Sequence, residues 1–124
     1  MNRTIKFRAW DTKRNIMLNG VSVNDGKAVE KGYQWVTQPT SAAYLRLMQF
    51  TGLTDKNGVD IYEGDIVSSR NNCMYDDGRS NNEVVFIHDA FCVNGNSLYM
   101  IIDSFDAEVI GNIYENKDLL NGQQ

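Results

Sequence analysis

Two groups of side chains in this sequence are of the types that can do chemistry. The first is a histidine near a thiol. His88 is the single histidine of the 124 residues, and Asp89 and Cys92 follow it closely, which is the composition of a thiol–imidazole site whose nucleophile is activated by an adjacent base. The pattern goes no further. Cys73 is the other cysteine, neither cysteine lies in a CxxC pair, and two cysteines with one histidine leave a closed zinc site short of ligands. A turn histidine and two ordinary reduced thiols are the better reading.

The second group is acidic. Asp60, Glu63 and Asp65 form the densest set of carboxylates on a stretch with defined structure, and carboxylates are what a Mg²⁺-dependent nuclease requires. Acids beside a tight turn serve equally well as acceptors for backbone N–H groups, and that reading is preferred. Asp76-Asp77-Gly78 lacks the alternating ligands of a calcium-binding loop, and the chain has no P-loop and no GxGxxG. The sequence therefore points to no catalytic residue, no metal, no cofactor and no enzyme.

The carboxylates sit in the stretch Gln49 to Val67, QFTGLTDKNGVDIYEGDIV, around which the chain is organised. Asp55-Lys56-Asn57-Gly58 places an aspartate where its carboxylate can accept from an N–H two residues on, and a glycine where positive φ is free of steric cost. Phe50 and Leu53 precede this turn and Val59, Ile61 and Tyr62 follow it, so β-forming residues flank a polar connection as a hairpin requires. Gly64 then interrupts the outgoing strand, and the chain is expected to bend there into a new strand at Ile66 and Val67.

KFRAWD (Lys6 to Asp11), this central stretch and EVIGNIYENKDLL (Glu108 to Leu120) together resemble the YopX-like proteins encoded by phages and prophages of bacteria. The resemblance covers roughly a third of the chain in three ordered blocks. It implies a small intracellular phage-type protein that assembles with itself and has no established catalytic role, so it carries over no active residues.

The remaining segments read as follows. Ile5, Phe7 and Ala9 alternate with Lys6, Arg8 and Trp10, giving a half-buried strand with Trp10 on its polar face. A turn at Asp11 to Asn15 leads to a short returning strand, Ile16 to Leu18. Asn19 to Gly32 reads as loop, and Tyr33 to Thr37 as a short aromatic strand before Pro39. Ser41 to Met48 fits either a short helix or a strand, with the helix narrowly preferred. Ser68 to Asn82 reads as a mobile loop, Glu83 to Ile87 as a strand buried on both faces, and Phe91 to Val93 and Ser97 to Ile102 as strands of a meander turning at His88 to Ala90 and at Asn94 to Asn96. A last strand alternates Val109, Gly111 and Ile113 against Ile110, Asn112 and Tyr114, and Asn116 is placed as the N-cap of a short helix, Lys117 to Leu120.

About seven short strands with close turns and no interleaved helices make the class mainly β. The expected architecture is a bent antiparallel sheet closing into a small SH3-like barrel with one or two short helices. Residues 1–124 are expected to form a single YopX-like domain. Hydrophobic residues make up 42% of the chain, which excludes wholesale disorder, and no apolar run reaches the ~18 residues of a membrane span. The N-terminus lacks the apolar core of a signal peptide, so a cytoplasmic location in a bacterial host cell and no membrane partner are expected.

Charge is unevenly placed. Residues 1–31 hold seven basic residues against three acids, and the rest holds five against thirteen, so a +4 segment precedes a −8 body. Solvated strand charges account for this most simply, and two functions also fit it. One is a homo-oligomer, or a module that occupies a host protein, built on exposed aromatics (Trp10, Trp35, Tyr44, Tyr62, Tyr114) and complementary charge. The other is a nucleic-acid-binding accessory protein using Arg3, Lys6, Arg8, Lys13 and Arg14 beside Trp10 and Trp35. An overall pI of 4.8 favours the first. Arg8, Trp10, Arg14, Trp35 and Tyr62 are the candidate interaction residues.

One consequence is testable from the turn chemistry alone. Gly58→Val puts a β-branched residue at positive φ and is expected to lower unfolding stability by roughly 1 to 3 kcal/mol, read as a shift of the urea midpoint at constant slope.

Overall fold

The Asp55 turn forms as its residues require. In the computed structural model, which describes residues 4–24, 27–29, 44–71 and 78–121, strand β5 (Leu45–Thr54) turns back as β6 (Asp60–Tyr62). Gly58 has φ +80°, and the Asp55 carboxylate accepts from the N–H of Asn57 at 2.8 Å and of Val59 at 3.0 Å. Gly64 has φ +83°, and β7 (Asp65–Arg70) begins directly after it. The Gly64 N–H donates to the Val84 carbonyl and its own carbonyl accepts from Ile113 N–H, both at 2.9 Å. The bend thus serves as a close backbone junction.

The chain forms two compact units, residues 1–50 and 51–124, and β5 runs from the first into the second. In the N-terminal unit, β1 (Phe7–Asp11) lies between β2 (Ile16–Asn19) and the first part of β5, antiparallel to both. Ala9 pairs with Leu18 on one side and Leu47 on the other, and Ala9, Val21 and Leu45 form a small core with Leu18, Tyr44 and Leu47 against it.

Two expectations are corrected in this unit. The segment read as loop from Asn19 to Gly32 contains a hairpin of β3 (Ser22–Asn24) and β4 (Lys27–Val29); strands this short have too few residues to show a period. From Leu45 onward the segment Ser41 to Met48 is strand, not helix. Leu45, Met48 and Phe50 are all buried, so β5 has apolar residues on both faces, and such a strand mimics the i, i+3, i+4 spacing of a helix. Pairing with β1 settles the choice. The strand expected over Tyr33 to Thr37 lies outside the described residues.

The C-terminal unit holds a five-stranded sheet in the order β10-β9-β8-β7-β11, formed by β7, β8 (Arg79–Ile87), β9 (Ala90–Val93), β10 (Asn96–Ser97) and β11 (Glu108–Asn112), every pair antiparallel. Ile61, Val67, Val84, Val93, Leu98, Ile101 and Ala107 make its core. The class is the one expected: mainly β, a curled antiparallel sheet forming a half-barrel, with two short helices, consistent with a small β-barrel fold.

Further corrections concern individual elements here. Ser97 to Ile102 is not a strand beyond Ser97: α1 (Leu98–Ser104) buries Leu98 and Ile101, three residues apart, and exposes Tyr99 and Met100. Tyr and Ile favour strands locally, but this spacing lets one helical face cover the core. β8 is not buried on both faces, since Phe86 is 51% and Ile87 44% exposed. Much of the expected loop from Ser68 to Asn82 is sheet, with Ser68, Ser69 and Arg70 paired to Asn81, Ser80 and Arg79; polar residues there conceal a strand whose backbone bonds need no apolar side chains. Residues 72–77 lie outside the described residues. In β11 the register shifts between Val109 and Gly111, so Ile110 is the extra residue of a bulge and the simple alternation fails there. Asn116 does not cap the short helix α2 (Asp118–Asn121) through its side chain as expected; its Oδ1 accepts from the Asn112 N–H at 3.2 Å. A Cβ on Gly111 would fall 2.5 Å from that oxygen, so this crossing demands glycine.

The turn aspartate does more than close its own hairpin. Asp55 is 5% exposed, and its second oxygen accepts from the Val109 N–H of β11 at 2.8 Å. Burial alone would raise its pKa, but the bonds from Val109, Val59 and Asn57 outweigh this and hold the carboxyl below its ordinary value. In the N-terminal unit Asp11, fully buried, behaves alike: burial is outweighed by the Arg14 and Lys13 N–H groups and the Arg14 guanidinium. A carboxylate whose folded pKa is depressed contributes stability that is complete above its unfolded pKa of about 3.9 and is lost as pH falls through the folded value. Glu83, raised by burial against the pull of Lys117, has the opposite sign and offsets part of this. Urea midpoints measured from about pH 7 to pH 2 are expected to stay level and then fall below about pH 4. Asp55→Asn, which sets an amide donor against one of the three N–H groups, is expected to cost about 1 to 3 kcal/mol and to shrink that acid-side fall.

Candidate functional site

The five candidate interaction residues do not form one site. Arg8 and Trp10 lie on β1 and Arg14 in the turn after it, Tyr62 lies on β6 in the other unit, and Trp35 falls outside the described residues. Trp10, placed on the polar face and counted among the exposed aromatics, packs instead within the fold. It is 8% exposed, because β1 is paired along both edges, with Met17 and Arg46 at the flanking register positions. Tyr44, Tyr62 and Tyr114 are half-buried.

Three of the basic residues of this segment are engaged within their own unit. Arg14 Nε donates to the buried Asp11 carboxylate at 2.6 Å. The Lys13 ammonium stands 4.4 Å from the centre of the Tyr44 ring and that of Lys6 stands 4.6 Å from the centre of the Phe50 ring, each a cation–π contact. A cation held by a carboxylate or ring gives up that contact to bind a phosphate, so these residues make a poorer nucleic-acid surface than their number suggests.

The acidic candidates are placed by turn chemistry. Asp65 is 2% exposed and its carboxylate accepts from the Tyr62 N–H at 2.8 Å across the Gly64 bend. Asp60 and Glu63 are half-buried. Among the described residues no three of His, Cys, Asp and Glu are grouped to hold a metal ion. His88 is an exposed turn residue at φ +60°. Cys92 is a free, half-buried thiol directed at the Ala90 carbonyl, and Cys73 lies outside the described residues.

The sequence reading missed two features, both in the C-terminal unit. One is an ionic cluster: Asp106 accepts from Lys56 and Arg79, each at 3.0 Å, and Arg79 also holds the Ser68 hydroxyl and carbonyl, each at 2.8 Å. The bonds from Lys56 and then Arg79 hold the Asp106 carboxyl below its ordinary value. These residues lie far apart in sequence, and no local pattern joins them. The other is a set of exposed apolar side chains along the segment β8–β9–β10–α1. Phe86 and Ile87 end β8, Tyr99 is 64% exposed and Met100 37% on α1, and α1 packs against β9 and β10. Phe86 meets its cross-strand partner Phe91 edge to face at 4.9 Å between centroids. The signal lay in SLYMII, where Leu98 and Ile101 on one helical face leave Tyr99 and Met100 on the other.

Comparisons with known proteins agree with this description. No curated protein matches the chain. The crystal structure of protein EF1440 from Enterococcus faecalis is similar over 96% of this chain and 99% of that one, with 31% sequence identity and a TM-score of 0.66. The family model described as YopX protein matches residues 6–121, a span that includes nearly all of both units, and the chain therefore belongs to the YopX protein family.

Proposed function

We propose that this protein is a phage- or prophage-encoded intracellular protein that works by assembling with itself, without catalysis of its own. The observation that carries the reading is the exposure of Phe86, Ile87, Tyr99 and Met100, four large apolar side chains between 37% and 64% exposed along the segment from β8 to α1. Aromatic and methionine side chains are the residues in which interface cores are enriched, and burial against a second copy would remove these from water. The +4 segment and −8 body supply complementary charge, which steers encounter and register more than it supplies affinity.

The aromatic residues doing this work differ from those first suggested by the sequence. Trp10 is buried and belongs to the fold, and Arg14 neutralises Asp11, so Arg14→Glu would break the unit before it reported on assembly. The clean variant is Phe86→Ser with Tyr99→Ser, since both side chains already meet solvent. Light scattering at micromolar concentration is expected to show an oligomer for the native chain and a smaller species for the double variant, with unchanged far-UV circular dichroism. A native monomer that binds single-stranded DNA or RNA with a steep salt dependence would replace this reading by the nucleic-acid one.

A further inference from the structure

The core face of the C-terminal sheet changes character along its length. Val84 pairs with Val93, whereas further along the same face Asn82 pairs with Val67 and Ser80 with Ser69. Val67, Val84 and Val93 are in the core, so the face that begins as valine ends in two hydroxyls and a carboxamide. These polar residues floor a half-open cleft of about 70 Å³, walled by Asn94 and Asn96 from the β9–β10 turn and covered by Ile101 and Phe105 at α1.

Ser69 is only 5% exposed. Among the described residues neither its hydroxyl nor the carboxamide of the half-buried Asn82 finds a protein hydrogen-bond partner, and both line the cleft. Their neighbours are occupied: Ser80 donates its hydroxyl to Asn71 Oδ1, Arg70 donates to the Ser104 carbonyl at 2.7 Å, and the Asn96 amide donates to the Asn94 carbonyl at 3.4 Å. A valine or alanine at position 69 would continue the core, so a hydroxyl and an amide left to serve the cleft call for something that enters it.

We infer that this cleft binds one small, neutral, planar group bearing an adjacent N–H and C=O, the edge shown by a pyrimidine base. Carboxamides match such an edge because each offers a donor and an acceptor side by side, the property by which Asn and Gln read base edges. Among the described residues no carboxylate lines the cleft, and the one cation among them, Arg70, donates to the Ser104 carbonyl, so these residues select no fully charged ligand. Ile101 and Phe105 provide an apolar roof, against which the flat face of such a ring gains stacking energy. The inference is independent of self-assembly, since Phe86 and Tyr99 are not among the lining residues.

The test is an amide-resolved NMR titration of the full chain with uridine, with glucose as a polyol control and a short oligouridylate as a second arm. Uridine is expected to shift Ser69, Asn82, Asn94 and Ile101 saturably, and glucose to leave them in place. Tighter binding of the oligouridylate assigns the base to a strand, and equal or weaker binding assigns it to a free nucleoside. Ser69→Ala, which removes one oxygen from a buried site and is expected to keep the fold, should weaken uridine about tenfold, as loss of one buried hydrogen bond does. Asn82→Leu should abolish the shifts, with circular dichroism reporting folding. The inference is overturned if no saturation is reached by about 10 mM uridine, if glucose produces the same shifts, or if Ser69→Ala binds as the native chain does.

Discussion

The buried carboxylate of Asp55 is the interaction on which the C-terminal unit depends. One side chain accepts from Asn57, Val59 and Val109, so a turn that would otherwise join only β5 to β6 is tied to β11, a strand distant in sequence. Hydrogen bonds to a charged acceptor are roughly twice as strong as neutral ones, and a buried carboxylate must collect several to repay its desolvation. The geometry therefore needs all three donors together. Lys56 N–H also reaches the Ala107 carbonyl at 3.5 Å, which brings the turn onto the outer edge of β11 and spares that edge from open pairing with another chain.

The same device recurs at three other reversals of the chain. Asp11 gathers the Lys13 and Arg14 N–H groups, Asp65 that of Tyr62, and Asn112 Oδ1 those of Tyr114 and Glu115. The acidic and amide residues that first suggest metal or acid–base chemistry are thus largely committed to the backbone. Likewise, three of the basic residues that suggest phosphate binding are committed to Asp11, Tyr44 and Phe50. What remains for function is surface of a different kind: the apolar ends of β8 and α1, and the polar end of the core face.

Those two regions share an origin. The core of the C-terminal unit is short, and its sheet is longer than the core it supports. Past one end the face continues as the exposed Phe86, whose cross-strand partner Phe91 still packs against the core, and past the other as Ser69, Ser80 and Asn82. A sheet face with no core to bury must meet solvent, a ligand or another molecule, and the apolar and polar ends are suited to different ones.

By itself the sequence determined the parts governed by backbone sterics and neighbouring residues: the Asp55 to Gly58 turn, the bend at Gly64, the Asn94–Gly95 reversal and the mainly β class, because positive φ and short-range acceptance by aspartate are local properties. The family was legible too, since its blocks are contiguous. The tertiary structure alone decided whether Leu45 to Met48 and Leu98 to Ser104 would be strand or helix, since each carries apolar residues that satisfy either period and only the surface they cover selects one. It also decided that Trp10 is interior, that Ser68 to Arg70 and Arg79 to Asn82 are paired strands, and that Asp55 reaches Val109. Each of these turns on a partner far away in the chain, and spacing along a sequence carries no record of which distant N–H a carboxylate will meet.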